Sequence, residues 1–255
     1  MTRRLLLYAI ACLALAGIGL SAHAYTRLAP EAPRAGQEFV FLSTDNEGCV
    51  TPGTLRSEVS GQRVTIAYRQ SALCASGSLT YVMTVLKLPA GTYEVVERGE
   101  VNGVPTAAGR LGSITIAPAA PVTRTTSNLD GMWYVPTQPG WGVSLTEGGS
   151  GQLFLGWYHY GFASCCAFTP QKYGRASWFF ASSGAWVTPT RYQAPLYRSA
   201  GGNPEGNFDL SALAVSPVGL ATLDVNADGS VRFNVLYLFA TGETIIEDTL
   251  TKFRF

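Results

Sequence analysis

Histidine is almost missing from this sequence: His23 and His159 are the only two in 255 residues. With His23 inside a segment read below as removable, any imidazole chemistry has to run through His159. The histidine clusters of many metal centres are thereby excluded, and neither a metal nor a cofactor is expected. Charge is scarce too. Only 14% of residues are charged, and 18 Lys and Arg stand against 17 Asp and Glu. No basic stripe is present to meet phosphates, which excludes nucleic acid as a partner. Charge-driven attachment to a membrane surface has no more support. Gly-x-Ser-x-Gly does not occur, and no strand-to-helix elbow for a nucleophile is expected in an all-β chain.

Long apolar runs are equally rare. The one that occurs, Leu5 to Leu20, follows Arg3 and Arg4 and precedes Ala22-His23-Ala24. Basic residues, apolar stretch and small-residue site together read as a signal peptide over 1–24. No second run of about 18 apolar residues follows, so no membrane span is expected after its removal. Cys12 lies within the run, away from the cleavage site, which argues against a lipid anchor. The expected product is a soluble periplasmic or secreted protein beginning at Tyr25, with 16 basic and 17 acidic residues.

Cys49, Cys74, Cys165 and Cys166 remain beyond the leader. An even number in an exported chain favours disulfides, with three connectivities open. Pairing Cys49 with Cys74 keeps the bond within one unit and would stabilise by about 3 kcal/mol. Cys165 and Cys166 would then form a vicinal disulfide or stay reduced. With His159 they make a poor zinc set.

What the chain does have is short β-branched and aromatic runs between turn residues. From 25 to 117 these include Phe39-Val40-Phe41-Leu42, Arg63 to Tyr68, Leu79 to Val85, Thr92 to Val96 and Leu111 to Ala117. Six or seven strands in under 100 residues predict an antiparallel β-sandwich. The Pro89-Ala90-Gly91-Thr92-Tyr93 lead into Val95 resembles the penultimate strand of immunoglobulin-like domains. Residues 118–128 form a Pro/Thr/Ala linker without large apolar side chains. From 129 to 255 the pattern is a chain of hairpins. Trp141 to Glu147 meets Gln152 to Tyr160, Ala176 to Ala181 meets Ala185 to Thr188, and Leu220 to Asn226 meets Val231 to Phe239 across Asp228-Gly229. About eight such strands predict a meander closed into an up-and-down barrel, which hides its edges, with a second sandwich as the alternative.

Aromatics concentrate in this second unit. Between 133 and 197 lie 16 of the chain's 29 Phe, Tyr and Trp, including all five tryptophans. Trp133, Trp141, Trp157, Trp178 and Trp186, with His159, are candidates to line a site for a glycan or small apolar ligand. Packing of a barrel core explains the same residues. Alternation puts Leu153, Leu155, Trp157 and His159 on one face of their strand and Phe154, Tyr158 and Tyr160 on the other. No residue is assigned a catalytic role.

Two enzyme readings stay as alternatives, with His159 as a general base or with carboxylates of a hydrolase drawn from Glu147, Glu205, Asp209 and Glu247. Asp224 to Gly229 matches the start of a calcium loop, but the twelfth position is Val235 and the flanks alternate as strands. A hairpin turn accounts for it.

Gly131-Met132-Trp133-Tyr134-Val135-Pro136, Pro139-Gly140-Trp141-Gly142-Val143, Trp157-Tyr158-His159-Tyr160, Ser177-Trp178-Phe179 and Ala194-Pro195-Leu196-Tyr197-Arg198 follow one another in order. With Gly219 to Leu223 and Thr251-Lys252-Phe253 they resemble an uncharacterised exported proteobacterial domain with a W-x-x-P…G-W-G opening. The resemblance covers nearly all of 129–255 and implies export and an all-β fold, with no activity or catalytic residue to carry over. Phe162 to Tyr173, with Cys165-Cys166, departs from the simpler Y-x-x-x-G turn of that pattern. Asp248-Thr249-Leu250-Thr251-Lys252 resembles the ending of avidin-type barrels, a match too short to imply biotin. The expected function is non-catalytic binding through the aromatic surface, with a structural or chaperone-like envelope role as a further alternative.

Overall fold

The computed structural model describes the chain except residues 1–25, 46–49, 52–53, 71–79, 107, 125–127, 150, 161–175, 201–210, 212, 240–241 and 255. The four cysteines of the expected disulfides, and the candidates Glu205 and Asp209, lie outside the described residues. Among the described residues seventeen strands form an all-β architecture. The first unit contains β1 (Thr26–Ala29), β2 (Glu38–Asp45), β3 (Arg56–Ser60), β4 (Arg63–Gln70), β5 (Thr80–Lys87), β6 (Gly91–Val101), β7 (Val104–Pro105) and β8 (Gly109–Ile116). The second contains β9 (Gly131–Tyr134), β10 (Gly142–Glu147), β11 (Leu153–Tyr160), β12 (Ala176–Ala181), β13 (Ala185–Trp186), β14 (Arg191–Ala200), β15 (Ala214–Val225), β16 (Val231–Phe239) and β17 (Gly242–Lys252).

The first unit is a sandwich of β1-β2-β5 against β3-β4-β6 with β7 and β8. Its core joins Phe39, Phe41 and Leu86 of one sheet to Val64, Ile66, Tyr93, Val95 and Ile114 of the other. One pairing departs from the antiparallel expectation: β4 runs parallel to β6. Parallel neighbours need a crossover, and β5, lying in the opposite sheet, supplies it.

The second unit is a closed barrel of eight antiparallel strands. Neighbours in sequence pair from β9 through β12 and from β14 through β17. Closure comes from β17 pairing β9 and from the single pair Phe180↔Tyr197 between β12 and β14. The expected hairpin of Ala176–Ala181 with Ala185–Thr188 does not form. β13 is two residues long and pairs forward with β14, Trp186↔Tyr192, across the turn at 187–190. That turn is closed by Val187 N–H donating to Arg191 O at 2.9 Å.

Side chains fill the barrel waist. Leu145, Leu153, Leu155, Trp157, Phe179, Leu196, Leu223, Phe233 and Val235 are at most 3% exposed. Outside, Arg232 pairs with Glu247 and with Asp224. The interior is apolar and filled by side chains, unlike the polar lumen of a transmembrane β-barrel, and the outer wall mixes these charges with exposed Phe154, Tyr158, Trp178 and Ile245. Among the described residues no helix is long and apolar enough to cross a membrane.

A third apolar cluster joins the two units. Val40, Leu42 and Met83 on the outer face of β1-β2-β5 pack on Leu220 and Leu236 of the barrel wall. Glu38 on β2 accepts from the hydroxyls of Ser183 (2.5 Å) and Tyr197 (3.3 Å) across the same seam.

Candidate functional site

At the end where β10 begins and β11 finishes, the barrel opens into a cavity of about 260 Å3 lined by Trp141, Trp157, His159, Gln138, Ile246 and Asp248. Local sequence sets the placement of each. Gly140 has φ 106°, a conformation that strains residues with a Cβ. A Cβ on Gly142 would stand 2.7 Å from the carbonyl oxygen of Trp133, so this glycine lets β10 close on β9. The two glycines thus bracket Trp141 in the turn at the rim. Its indole N–H donates to Gln138 Oε1 at 3.1 Å, and Gln138 Nε2 donates to Asp248 Oδ1 at 3.1 Å.

Trp157 and His159 are two apart on β11 and face inward together. Their rings are 4.5 Å apart, and His159 stacks on Phe179 at 5.5 Å with 15° between planes. Trp157, 2% exposed, also packs on Phe233. It is a floor residue, whereas Trp141 and His159 are partly exposed walls. Asp248 enters through the β16–β17 register, opposite Phe233. Inward Ile246 and Leu250 flank it at two-residue spacing, while Ile245, Glu247 and Thr249 point outward. The mouth therefore combines ring faces with one carboxylate and one amide.

On β16, burial raises the Tyr237 hydroxyl above its usual range, opposed by the charge of Arg198. Burial also raises Tyr192 at the far end, opposed by backbone bonds to Leu153 and Gly184. That hydroxyl joins both backbone groups of Leu153 at 3.1 Å.

The other expected ligand residues lie elsewhere. Trp133 is a core residue, 2% exposed, with its N–H donating to Leu129 O at 2.9 Å. Trp186 sits at the opposite end, bonded to Gly151 O at 2.8 Å beneath the Arg124 guanidinium. Trp178, 51% exposed, stands on the outer wall next to Phe180. Three of the six candidates, Trp141, Trp157 and His159, share the mouth. Gln138, Ile246 and Asp248 join them without being marked by residue type, although alternation through Ile246 and Leu250 marks Asp248 as inward.

The carboxylates of the hydrolase alternative do not converge among the described residues. Glu147 is ion-paired with Arg124 at the far end, and Glu247 is on the outer wall. Asp224 is held by Arg191 (2.6 Å) and Arg232 at the foot of a hairpin turn, where Gly229 takes φ 83°. Among the described residues no group of three or more His, Cys, Asp or Glu is arranged to hold a metal. No protein-family model, curated protein or solved structure matches the chain.

Proposed function

We propose that this protein is an exported, non-catalytic binding protein whose barrel mouth takes one small ring-bearing ligand. The observation that carries the reading is the mouth itself, an open cavity with Trp141, Trp157 and His159 on its surface and Gln138 and Asp248 at its edge. Rigid aromatic faces with few fixed polar groups are the usual make-up of a small-ligand site. Indole faces suit the C–H surface of a sugar or another flat ring, and the Asp248 carboxylate accepts an O–H or N–H from its rim. Export is supported by Arg3 and Arg4, the Leu5–Leu20 run and Ala22-His23-Ala24. The likeness to the exported W-x-x-P…G-W-G domain agrees with export and carries no activity.

The test is a fluorescence and calorimetric titration with glucose, N-acetylglucosamine, indole and biotin. At least one should bind saturably, and Trp141→Ala should weaken it by about tenfold or more with the circular dichroism unchanged. Loss of no affinity in that variant overturns the reading.

One observation favours the hydrolase as a second reading: His159 and Asp248 line one cavity. It requires turnover that His159→Gln removes. The envelope-partner reading has less support, because a closed barrel has no edge and the exposed strand β3 is short and carries Arg56 and Glu58.

A further inference from the structure

A second cavity, of about 380 Å3, lies where sandwich, linker and barrel meet, and the residues of the mouth take no part in it. Arg34, Gln37 and Lys87 come to it from the sandwich, Pro121 from the linker, and Gln152 and Trp186 from the barrel. Its polar groups are unbalanced. Among the described residues Lys87 and Arg34 form no ion pair, and the Arg34 guanidinium has one long contact, 3.5 Å to Ala120 O. Gln37 accepts the Arg34 backbone N–H on Oε1 at 3.3 Å, which fixes the amide's orientation. Its Nε2 then has no acceptor among the described residues. Among the described residues Glu38 is the one carboxylate on the lining, and its Oε2 is turned to the seam, where Ser183 and Tyr197 donate to it.

Among the described residues two cations, one committed anion and an amide donor without an acceptor leave a net positive, donor-rich cleft. Such a set recognises an acceptor-rich anion, because a charge-assisted bond is about twice as strong as a neutral one. Trp186, Pro121 and the small side chains of Ala119, Ala120 and Ala185 give the cleft an apolar wall. We infer that this interdomain cleft is a second binding site, for a monoanionic carboxylate attached to a flat apolar or sugar ring. The carboxylate lies between Lys87 and Arg34 and the ring rests along Trp186. The ligand touches both units and the linker at once, so binding there also clamps sandwich to barrel.

The full chain is titrated with benzoate, phenylacetate and glucuronate, following thermal midpoint and tryptophan emission, with benzamide as the uncharged twin and inorganic phosphate as a simple anion. At least one carboxylate should bind saturably and raise the midpoint, with benzamide and phosphate each about tenfold weaker or more. Lys87→Met and Gln37→Leu should each weaken that carboxylate by about tenfold. Both are small changes at the cleft wall, and unchanged circular dichroism reports a retained fold. Trp141→Ala should leave the response intact, which separates this site from the mouth. No saturable carboxylate, equal binding of benzamide, tighter binding of phosphate, indifference to Lys87→Met, or loss of the response with Trp141→Ala would each overturn the assignment.

Discussion

Gln138 donates through Nε2 to Asp248 Oδ1 at 3.1 Å, tying the loop after β9 to the last strand of the barrel. The same amide accepts the Trp141 indole N–H on Oε1, so one side chain orients both the ring and the carboxylate of the mouth. Both bonds are exposed, and each contributes little to folding. Gln138→Leu should therefore cost about 1 kcal/mol in a denaturant titration. Affinity for the mouth ligand should fall by more than that energy accounts for, since Trp141 and Asp248 both lose their support. An unchanged dissociation constant would show that the rim is oriented by something other than Gln138.

Gly219 stands where β15 meets β16 next to the irregularity at Leu196/Tyr197. A Cβ at this position would lie 2.0 Å from the carbonyl oxygen of Leu236, a backbone atom that cannot swing away. Gly219→Ala should force the two strands apart and disturb the contact of Leu220 and Leu236 with the sandwich. The expected cost is about 3 kcal/mol or more, read as a fall in denaturant midpoint. Gly149→Ala, at a turn glycine with nothing within 4 Å, is the control and should stay within about 0.5 kcal/mol. Equal effects of the two would remove the steric argument.

Much of this architecture is legible in side-chain alternation. Val231, Phe233, Val235 and Tyr237 all enter the barrel core as their two-residue spacing predicts, and Leu153, Leu155 and Trp157 do the same on β11. The run Phe39-Val40-Phe41-Leu42 does not alternate, because β2 is covered on both sides: Phe39 and Phe41 face the sandwich core, Val40 and Leu42 the barrel. That second cover comes from residues 220 and 236, a partnership no local pattern records. The short β13 departs from the expected hairpin for a related reason, since Ser182-Ser183-Gly184 reads as a hairpin turn while the ladder forms across 187–190. Nor could residue type sort the tryptophans. Trp133 and Trp141 differ in role because one is inside a strand and the other in the turn beyond it. Which barrel end opens depends on strand tilt and closure, so Asp248 was readable as inward but not as part of a mouth.

The seam between the units carries a pH dependence. Burial, then the nearby charge of Glu38, pushes the Tyr197 hydroxyl up to about 12. A hydroxyl whose folded value exceeds its unfolded value, about 10, holds its proton better when folded. Its contribution to stability is complete below about pH 10 and is lost as pH rises towards about 12. Tyr192 and Tyr237 are raised as well and add to the same loss. Tyr197→Phe should therefore leave the denaturant midpoint near its native value at pH 8, because Ser183 still donates to Glu38. Between about pH 10 and 12 its midpoint should fall less steeply than that of the native chain, with Tyr192 and Tyr237 supplying the slope that remains. Parallel curves for the two proteins would mean that Tyr197 ionises as freely in the folded seam as in the unfolded chain.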